Sequence, residues 1–279
     1  MTERRNLVVV ILDSLRYDVA AAAATPQLDR LGRLEQRWSY ASWTAPSHYN
    51  LLMGLLPHES PAGVYASDYY QRDYLKYAER LQVPGMEFKK LLPSLWLPTY
   101  LRDVLGYATH ARVSMPVLNP TTPINRGFDS FRLMPKHNDM AAMLDDLRFA
   151  DMTGPFYALL NVGETHYPYA LPDEDPSEWP VISGVHGVLK RVDDAQGDLT
   201  GGEFFDTAAM DRLRARQLRA TEYVDGVIGR LFTELPADTW VVVTADHGEL
   251  FGEGGYFGHG PIAHEKVHEV PFWEGLVPP

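Results

Sequence analysis

Three short apolar runs, each followed at once by chemically capable side chains, restrict what this sequence can fold into more than any other feature. Residues 7–12 read Leu-Val-Val-Val-Ile-Leu and end on Asp13. Residues 156–162 open onto Gly163-Glu164-Thr165-His166, and residues 240–243 lead into Thr244-Ala245-Asp246-His247-Gly248-Glu249. Apolar, β-branched runs of this kind belong to strands covered on both faces, as in parallel sheets with helical crossovers. Helices are expected between them. Pro26 suits the first turn of a helix over 27–36, Pro46 permits one over 47–55, and residues 98–105 form a short one stopped by Gly106. Met210, Leu213, Ala220, Val224, Ile228 and Leu231 recur at helical spacing and mark one long amphipathic helix. With further strands at 107–113 and 270–273, the pattern predicts a doubly wound α/β fold with a mostly parallel central sheet. Such sheets place their sites beyond the carboxyl ends of the strands, where Asp13, His166 and Asp246 fall.

A length of 279 residues fits one domain over 1–279, and 45% hydrophobic residues can fill its core. Two irregular excursions are expected, near 65–96, rich in Tyr and charge, and near 172–202, rich in Pro, Gly and Asp. The first reads as irregular helices and loops over the active face. The chain has no cysteine, which excludes disulfides and thiolate metal ligands. Its net charge of −12 argues against a nucleic-acid partner, but not against a small phosphorylated ligand held beside a cation. The run at 7–12 is far too short to span a bilayer, so the expectation is a soluble, cytoplasmic protein without a membrane partner. Oligomeric state is not indicated.

Two acids, an imidazole and a hydroxyl carry the chemistry. Asp13, Asp246 and His247 at strand ends can turn toward one ion. Thr44, in Thr44-Ala45-Pro46-Ser47-His48, can present its oxygen at a strand-to-helix turn. This hard, mixed O/N set suits one Zn²⁺ or Mn²⁺, which would activate the hydroxyl. Each residue also has an ordinary structural use. Asp13 can cap a turn, Thr44 a helix, and His166 can stack on Tyr167 and Tyr169. His48 either orients Thr44 or packs, and His264 is a rival ligand by its spacing from His247.

Several pieces, in order along the chain, resemble the alkaline phosphatase superfamily in its sulfatase-like branch. They are Asp13-Ser14-Leu15-Arg16-Tyr17-Asp18 after its strand, Thr44-Ala45-Pro46-Ser47-His48, Gly106-Tyr107-Ala108-Thr109, Arg126-Gly127-Phe128-Asp129, Tyr223-Val224-Asp225-Gly226, and Thr244 through Gly260 to Val270-Pro271-Phe272. The resemblance implies metal ligation by Asp13, Asp246 and His247, and Thr44 as a metal-bound nucleophile. It also implies that His166 and His259 contact the transferring group or protonate the leaving oxygen. His48 and His264 are further candidate substrate contacts. Departures from the sulfatase pattern are informative. Sulfatases oxidise a cysteine or serine to formylglycine, which a threonine cannot become, and His247 replaces an Asn. Thr44, His247 and Gly258-His259-Gly260 are more similar to lipoteichoic acid synthases and phosphoethanolamine transferases. The Asp that two-metal members carry before the equivalent of His166 is here Val162 or Asn161, so one metal ion is expected. The chain ends at Pro279, soon after the last motif, and reads as lacking a large C-terminal subdomain. The implied activity is metal-dependent hydrolysis of phosphate or phosphonate esters through a phosphothreonine. Transfer to an alcohol or amine, sulfate-ester hydrolysis and a catalytically silent binding module are the alternatives.

Overall fold

A computed structural model of the protein describes residues 4–59, 66–86, 96–180 and 206–279. Its core is a seven-stranded sheet in the order β2-β9-β6-β1-β5-β3-β4. The strands are β1 (Asn6–Leu12), β2 (Glu35–Trp38), β3 (Ala108–Val113), β4 (Ser130–Leu133), β5 (Phe156–Val162), β6 (Thr239–Thr244) and β9 (Glu269–Leu276). A separate two-stranded ribbon pairs β7 (Leu250–Phe251) with β8 (Phe257–Gly258). β6, β1, β5, β3 and β4 are mutually parallel, while β9 runs antiparallel to both β6 and β2. The three runs prominent in the sequence are the three central strands, and every residue of β1 and β5 is buried.

Alternate residues of these strands enter two separate cores. Val8, Val10, Leu12, Ala158, Leu160, Val241 and Val243 pack under the long helix Thr207–Glu234, through Met210, Leu213, Val224, Ile228 and Leu231. Leu7, Val9, Ile11, Leu159 and Val242 face the opposite layer, built from Leu51, Leu52, Tyr77 and Leu101. Both faces are covered, so the strands carry no polar alternation. No helix among the described residues is long and apolar enough to cross a membrane.

The structure corrects several element boundaries. The helix expected over 27–36 is Pro26–Leu31, and Glu35–Trp38 is instead the edge strand β2. A side chain at Gly32 would meet Glu274 O at 2.7 Å, so the chain passes against β9 there rather than winding on. The helix expected from 47 starts at Thr44 and ends at Leu52. Ala66–Arg80 is a regular helix, not the irregular cover expected. Tyr70, Tyr74, Tyr77 and Leu81 lie at helical spacing and enter the second core, a stripe hidden when tyrosine is counted as polar. Residues 65, 87–95 and 181–202 of the two excursions lie outside the described residues.

Candidate metal and nucleophile site

Three strand ends converge at the carboxyl edge of the sheet. Asp13 follows β1, Asp246 and His247 follow β6, and the loop after β5 is tied down because Thr165 Oγ1 donates to Asp13 O at 2.8 Å. Ser14 adopts a left-handed backbone (φ +62°), a conformation that costs a side-chain-bearing residue of the order of 1 kcal/mol. That turn directs its N–H onto Asp246 Oδ1 at 3.1 Å, where the His247 N–H also donates at 3.0 Å. The other Asp246 oxygen, Oδ2, is buried with no hydrogen-bond partner.

One ligand atom from each of Asp13, Asp246 and His247 lies within 4.8 Å of the other two. His247 Nε2 is 3.4 Å from Asp246 Oδ2 and 3.9 Å from Asp13 Oδ1. The ring is held in one tautomer because Nδ1 donates to Gly248 O at 2.9 Å, leaving the Nε2 lone pair toward the acids. Thr44 sits in the first turn of its helix with Oγ1 3.2 Å from His247 Nε2 and 3.4 Å from Asp13 Oδ1. Sequence positions 13, 44, 246 and 247 therefore meet at one point, with the positive end of a helix behind the hydroxyl.

The electrostatics describe a centre short of positive charge. Burial, reinforced by the Asp13 charge, holds the Asp246 carboxyl well above the usual carboxylate range. Burial and the neighbouring His259 push His247 well below the usual imidazole range. Burial also pushes Asp13 up, but His166, His247, His48 and the Asn161 amide outweigh it and leave that carboxyl lowered. Two buried acids, one oxygen without a partner and an imidazole lone pair aimed between them fit a divalent cation. Asp13, Asp246 and His247 would hold it, with Thr44 alongside.

His166 and His259 wall the open side. Their rings lie 5.3 Å apart, and the His259 ring is 4.2 Å from that of His247. His166 Nδ1 donates to Tyr167 O at 2.8 Å, which turns Nε2 outward. His259 keeps 20% of its side chain exposed, unlike the buried ligands, so it faces entering molecules. His48 is wholly buried beneath Thr44 and donates from Nδ1 to Thr44 O at 2.8 Å. It steadies the helix start and presents no open surface to a substrate. His264 is elsewhere employed: its Nδ1 accepts from Lys266 N and caps the helix Glu265–His268.

Three supporting residues carried no assigned role in the sequence. Asn161 Nδ2 donates to Asp13 Oδ2 at 2.8 Å. Buried Glu249 accepts from Tyr169 Oη at 2.7 Å and places Oε2 3.8 Å from His259 Nδ1. Gln217, on the buried stripe of the long helix, donates to Ser14 O, Thr165 O and Glu249 Oε1. A glutamine in phase with Leu213, Ala220 and Val224 was the available signal for the last.

The sequence profile described as Sulfatase matches residues 5–273. The chain belongs to the sulfatase family. Among curated proteins it is 23% identical over 230 residues to the low-salt glycan biosynthesis sulfotransferase Agl7 of Haloferax volcanii, covering 75% of this chain and 52% of that protein. The chain thus spans about half the length of this relative. Among solved structures, a 2-O GAG sulfatase aligns with a TM-score of 0.62 at 14% identity, covering 98% of this chain and 64% of the other. The C-terminal periplasmic domain of EptC from Escherichia coli, in complex with Zn, gives 0.60 at 16% identity over 99% and 74%. The phosphonate monoester hydrolase of Agrobacterium radiobacter gives 0.54 at 14% identity over 97% and 68%. At these identities the likeness shows the alkaline phosphatase-like fold, as the strand-end motifs predicted. Members of this superfamily are hydrolases or transferases acting on sulfate or phosphate esters with the help of a divalent metal.

Proposed function

We propose that this sulfatase-family chain cleaves phosphate or phosphonate esters with Thr44 as nucleophile. The observation that carries this reading is the placement of Thr44 Oγ1, 3.2 Å from His247 Nε2 and 3.4 Å from Asp13 Oδ1, at the start of a helix. A hydroxyl used only as a cap would turn back onto its own backbone, whereas Thr44 Oγ1 turns to Asp13 and His247. A Zn²⁺ or Mn²⁺ held by Asp13, Asp246 and His247 would lower the hydroxyl pKa and offset charge on the transferring group.

Thr44 Oγ1, its proton lost to solvent, bonds to phosphorus while the ester P–O bond opposite it breaks. The departing oxygen takes a proton from His259 or His166, the two imidazoles on the open side. Water then attacks phosphorus and releases Thr44, the same groups acting in reverse. His48 holds the Thr44 turn, and Glu249 orients His259.

A second reading, transfer to an alcohol or amine in place of water, is favoured by two of the similar proteins, the Haloferax sulfotransferase and the phosphoethanolamine transferase EptC of Campylobacter jejuni. Sulfate in place of phosphate is open to either reading, but without cysteine the chain lacks the usual formylglycine precursor. The test is a panel of nitrophenyl phosphate, phosphonate, diester and sulfate substrates with Zn²⁺ or Mn²⁺, with and without alcohol acceptors. Thr44→Ala is expected to lower turnover at least about 10³-fold while keeping the metal. Wild-type rates in that variant would remove Thr44 from the chemistry.

A further inference from the structure

His259 is held differently from the other imidazoles of the site. His247 and His166 each donate from Nδ1 to a backbone carbonyl, at 2.9 and 2.8 Å. His259 Nδ1 has only long approaches among the described residues, 3.5 Å to Ser14 Oγ and 3.8 Å to Glu249 Oε2. Its backbone adds little stiffness, because Gly258 (φ +86°) and Gly260 (φ +148°) flank it in a region that glycine adopts freely. The ribbon before it pairs Leu250 with Gly258 and Phe251 with Phe257, and no more. So short a hairpin is not stable by itself. The placement of His259 must therefore come from what the ribbon is fastened to.

One guanidinium supplies a fastening. Arg16 sits in the turn after β1, close behind Asp13, and is 3% exposed. Its Nε and Nη2 donate to Asp18 at 2.8 and 2.7 Å, which fixes the plane of the group within that turn. Nη1 is left for the ribbon. It donates to Glu249 O at 3.3 Å, where the ribbon begins, and to Glu253 Oε1 at 2.5 Å, in the turn between its strands. Glu253 Oε2 in turn accepts from Phe251 N at 2.5 Å, and the guanidinium carbon lies over the Phe251 ring, 5.2 Å from its centre. Burial pushes the Glu253 carboxyl up, but the Arg16 hydrogen bond and charge outweigh it and leave it lowered. Arg16 thus joins the turn that carries Asp13 to the ribbon that carries His259.

We propose that Arg16, acting through Glu253 and the Glu249 carbonyl, is a positioning residue that holds His259 at the departing oxygen of the ester. The proposal rests on the ester-cleavage reading above and assigns the leaving-group proton to His259 rather than to His166. Loosening the clamp should matter in proportion to how much the departing oxygen needs a proton. A clamp of merely structural value would lower all rates alike.

The test compares kcat/KM of the metal-loaded protein on dinitrophenyl, phenyl and methyl phosphate. Glu253 is 32% exposed, so Glu253→Gln removes the ribbon's charge without opening the core. Arg16→Lys, which keeps the charge but loses the planar fork, is the second variant. Each should lose about 10- to 100-fold on phenyl and methyl phosphate, as misplacement of a catalytic acid does, and less than about threefold on dinitrophenyl phosphate, whose oxygen leaves unprotonated. His259→Ala should show the same pattern, and adding Glu253→Gln to it should change nothing further. Hydrogen exchange of the metal-free protein reads the clamp without turnover. The Phe251 and Gly252 amides, bonded to Glu253 Oε2 and Tyr256 O, should exchange about tenfold faster in Glu253→Gln, with those of β1 unchanged. Equal losses on the three esters, losses that add to those of His259→Ala, or unchanged exchange in the ribbon would overturn the proposal. Wild-type protein that cleaves none of the three would overturn the ester reading and this role of Arg16 with it, while the exchange rates still show whether the ribbon is fastened.

Discussion

Asn161 grips Asp13 from the neighbouring strand, its amide nitrogen 2.8 Å from the carboxylate oxygen Oδ2. Parallel pairing of β1 with β5 puts Ile11 opposite Asn161 and Leu12 opposite Val162, so the amide reaches the carboxylate just beyond the strand end. With Oδ2 occupied, Oδ1 is the oxygen left to face Thr44 and His247. Replacing Asn161 by Leu removes this orienting bond and leaves the Met115 N–H without its side-chain acceptor, while the Ser114 N–H keeps the backbone oxygen of residue 161 at 3.0 Å. Metal affinity should fall about 10- to 100-fold, the usual effect of losing such a supporting contact. Titration of the apoprotein with Zn²⁺ or Mn²⁺ would show it, and an unchanged dissociation constant would remove Asn161 from the site.

Gln217 ties three active-site loops to the long helix, through Ser14 O, Thr165 O and Glu249 Oε1. Gln217→Leu keeps the volume and apolar phase of that helix but takes a donor from two carbonyls and from Glu249, which keeps only Tyr169 Oη on Oε1. A stability loss of about 1–3 kcal/mol is expected, with a larger fractional loss of kcat than of metal content, because Glu249 and His259 are freed while Asp13, Asp246 and His247 stay. Chemical denaturation together with kinetics on one ester checks both parts. A variant as stable and as active as wild type would refute the assignment.

What the sequence disclosed and what it hid divide along one physical line. β1, β5 and β6 were legible because burial on both faces forces unbroken apolar runs, and Asp13, Asp246 and His247 were legible because they stop those runs abruptly. The long helix showed itself through its spacing. The short edge strand β2 did not, since its burial is mixed and its pairing partner, β9, lies more than two hundred residues away. The helix Met140–Leu147 also escaped notice, although Asp139 caps it by accepting from Ala142 N. The supporting residues were hidden for another reason. Asn161 and Gln217 act through single bonds across the fold, and only the register of β1 on β5, or the docking of one helix, assigns their partners.

Asp246 should be a liability without metal and an asset with it. A carboxyl held above its ordinary range favours folding while protonated, and that contribution is lost as pH rises through the folded-state value. Above the range in which the unfolded carboxyl ionises, the metal-free protein therefore loses that stabilisation, and Asp246→Asn, which does not titrate, avoids the loss. The metal-free variant should melt above metal-free wild type at pH 7, with the gap narrowing as the pH falls and Asp246 takes up a proton. Added Zn²⁺ or Mn²⁺ should reverse the order. Wild type gains about 2.7 kcal/mol at a hundredfold excess over the dissociation constant, and the variant little. Scanning calorimetry with chelator and with metal tests the pair, and a variant stabilised by metal as strongly as wild type would contradict the ligand assignment.

Glu164 offers a pH effect located outside the ligand set. Its carboxyl is buried beside the helix Met140–Leu147, accepts from Met140 N at 2.7 Å, and has a second oxygen without a partner. Burial, only partly offset by backbone N–H donors, pushes its pKa up from 4.5 to about 7. A raised folded-state value means that the acid form stabilises the fold fully below about 4.5, and that this contribution drains away as pH rises through about 7. The shift corresponds to about 3 kcal/mol by pH 9, at 1.36 kcal/mol per pH unit. Glu164→Gln keeps the acceptor for Met140 N and cannot ionise, so its stability should not fall over this window. Wild type and variant should be close near pH 5 and diverge above pH 7, with the variant the more stable. Urea midpoints measured at several pH values decide it, and parallel curves from pH 5 to 9 would show that Glu164 does not titrate there.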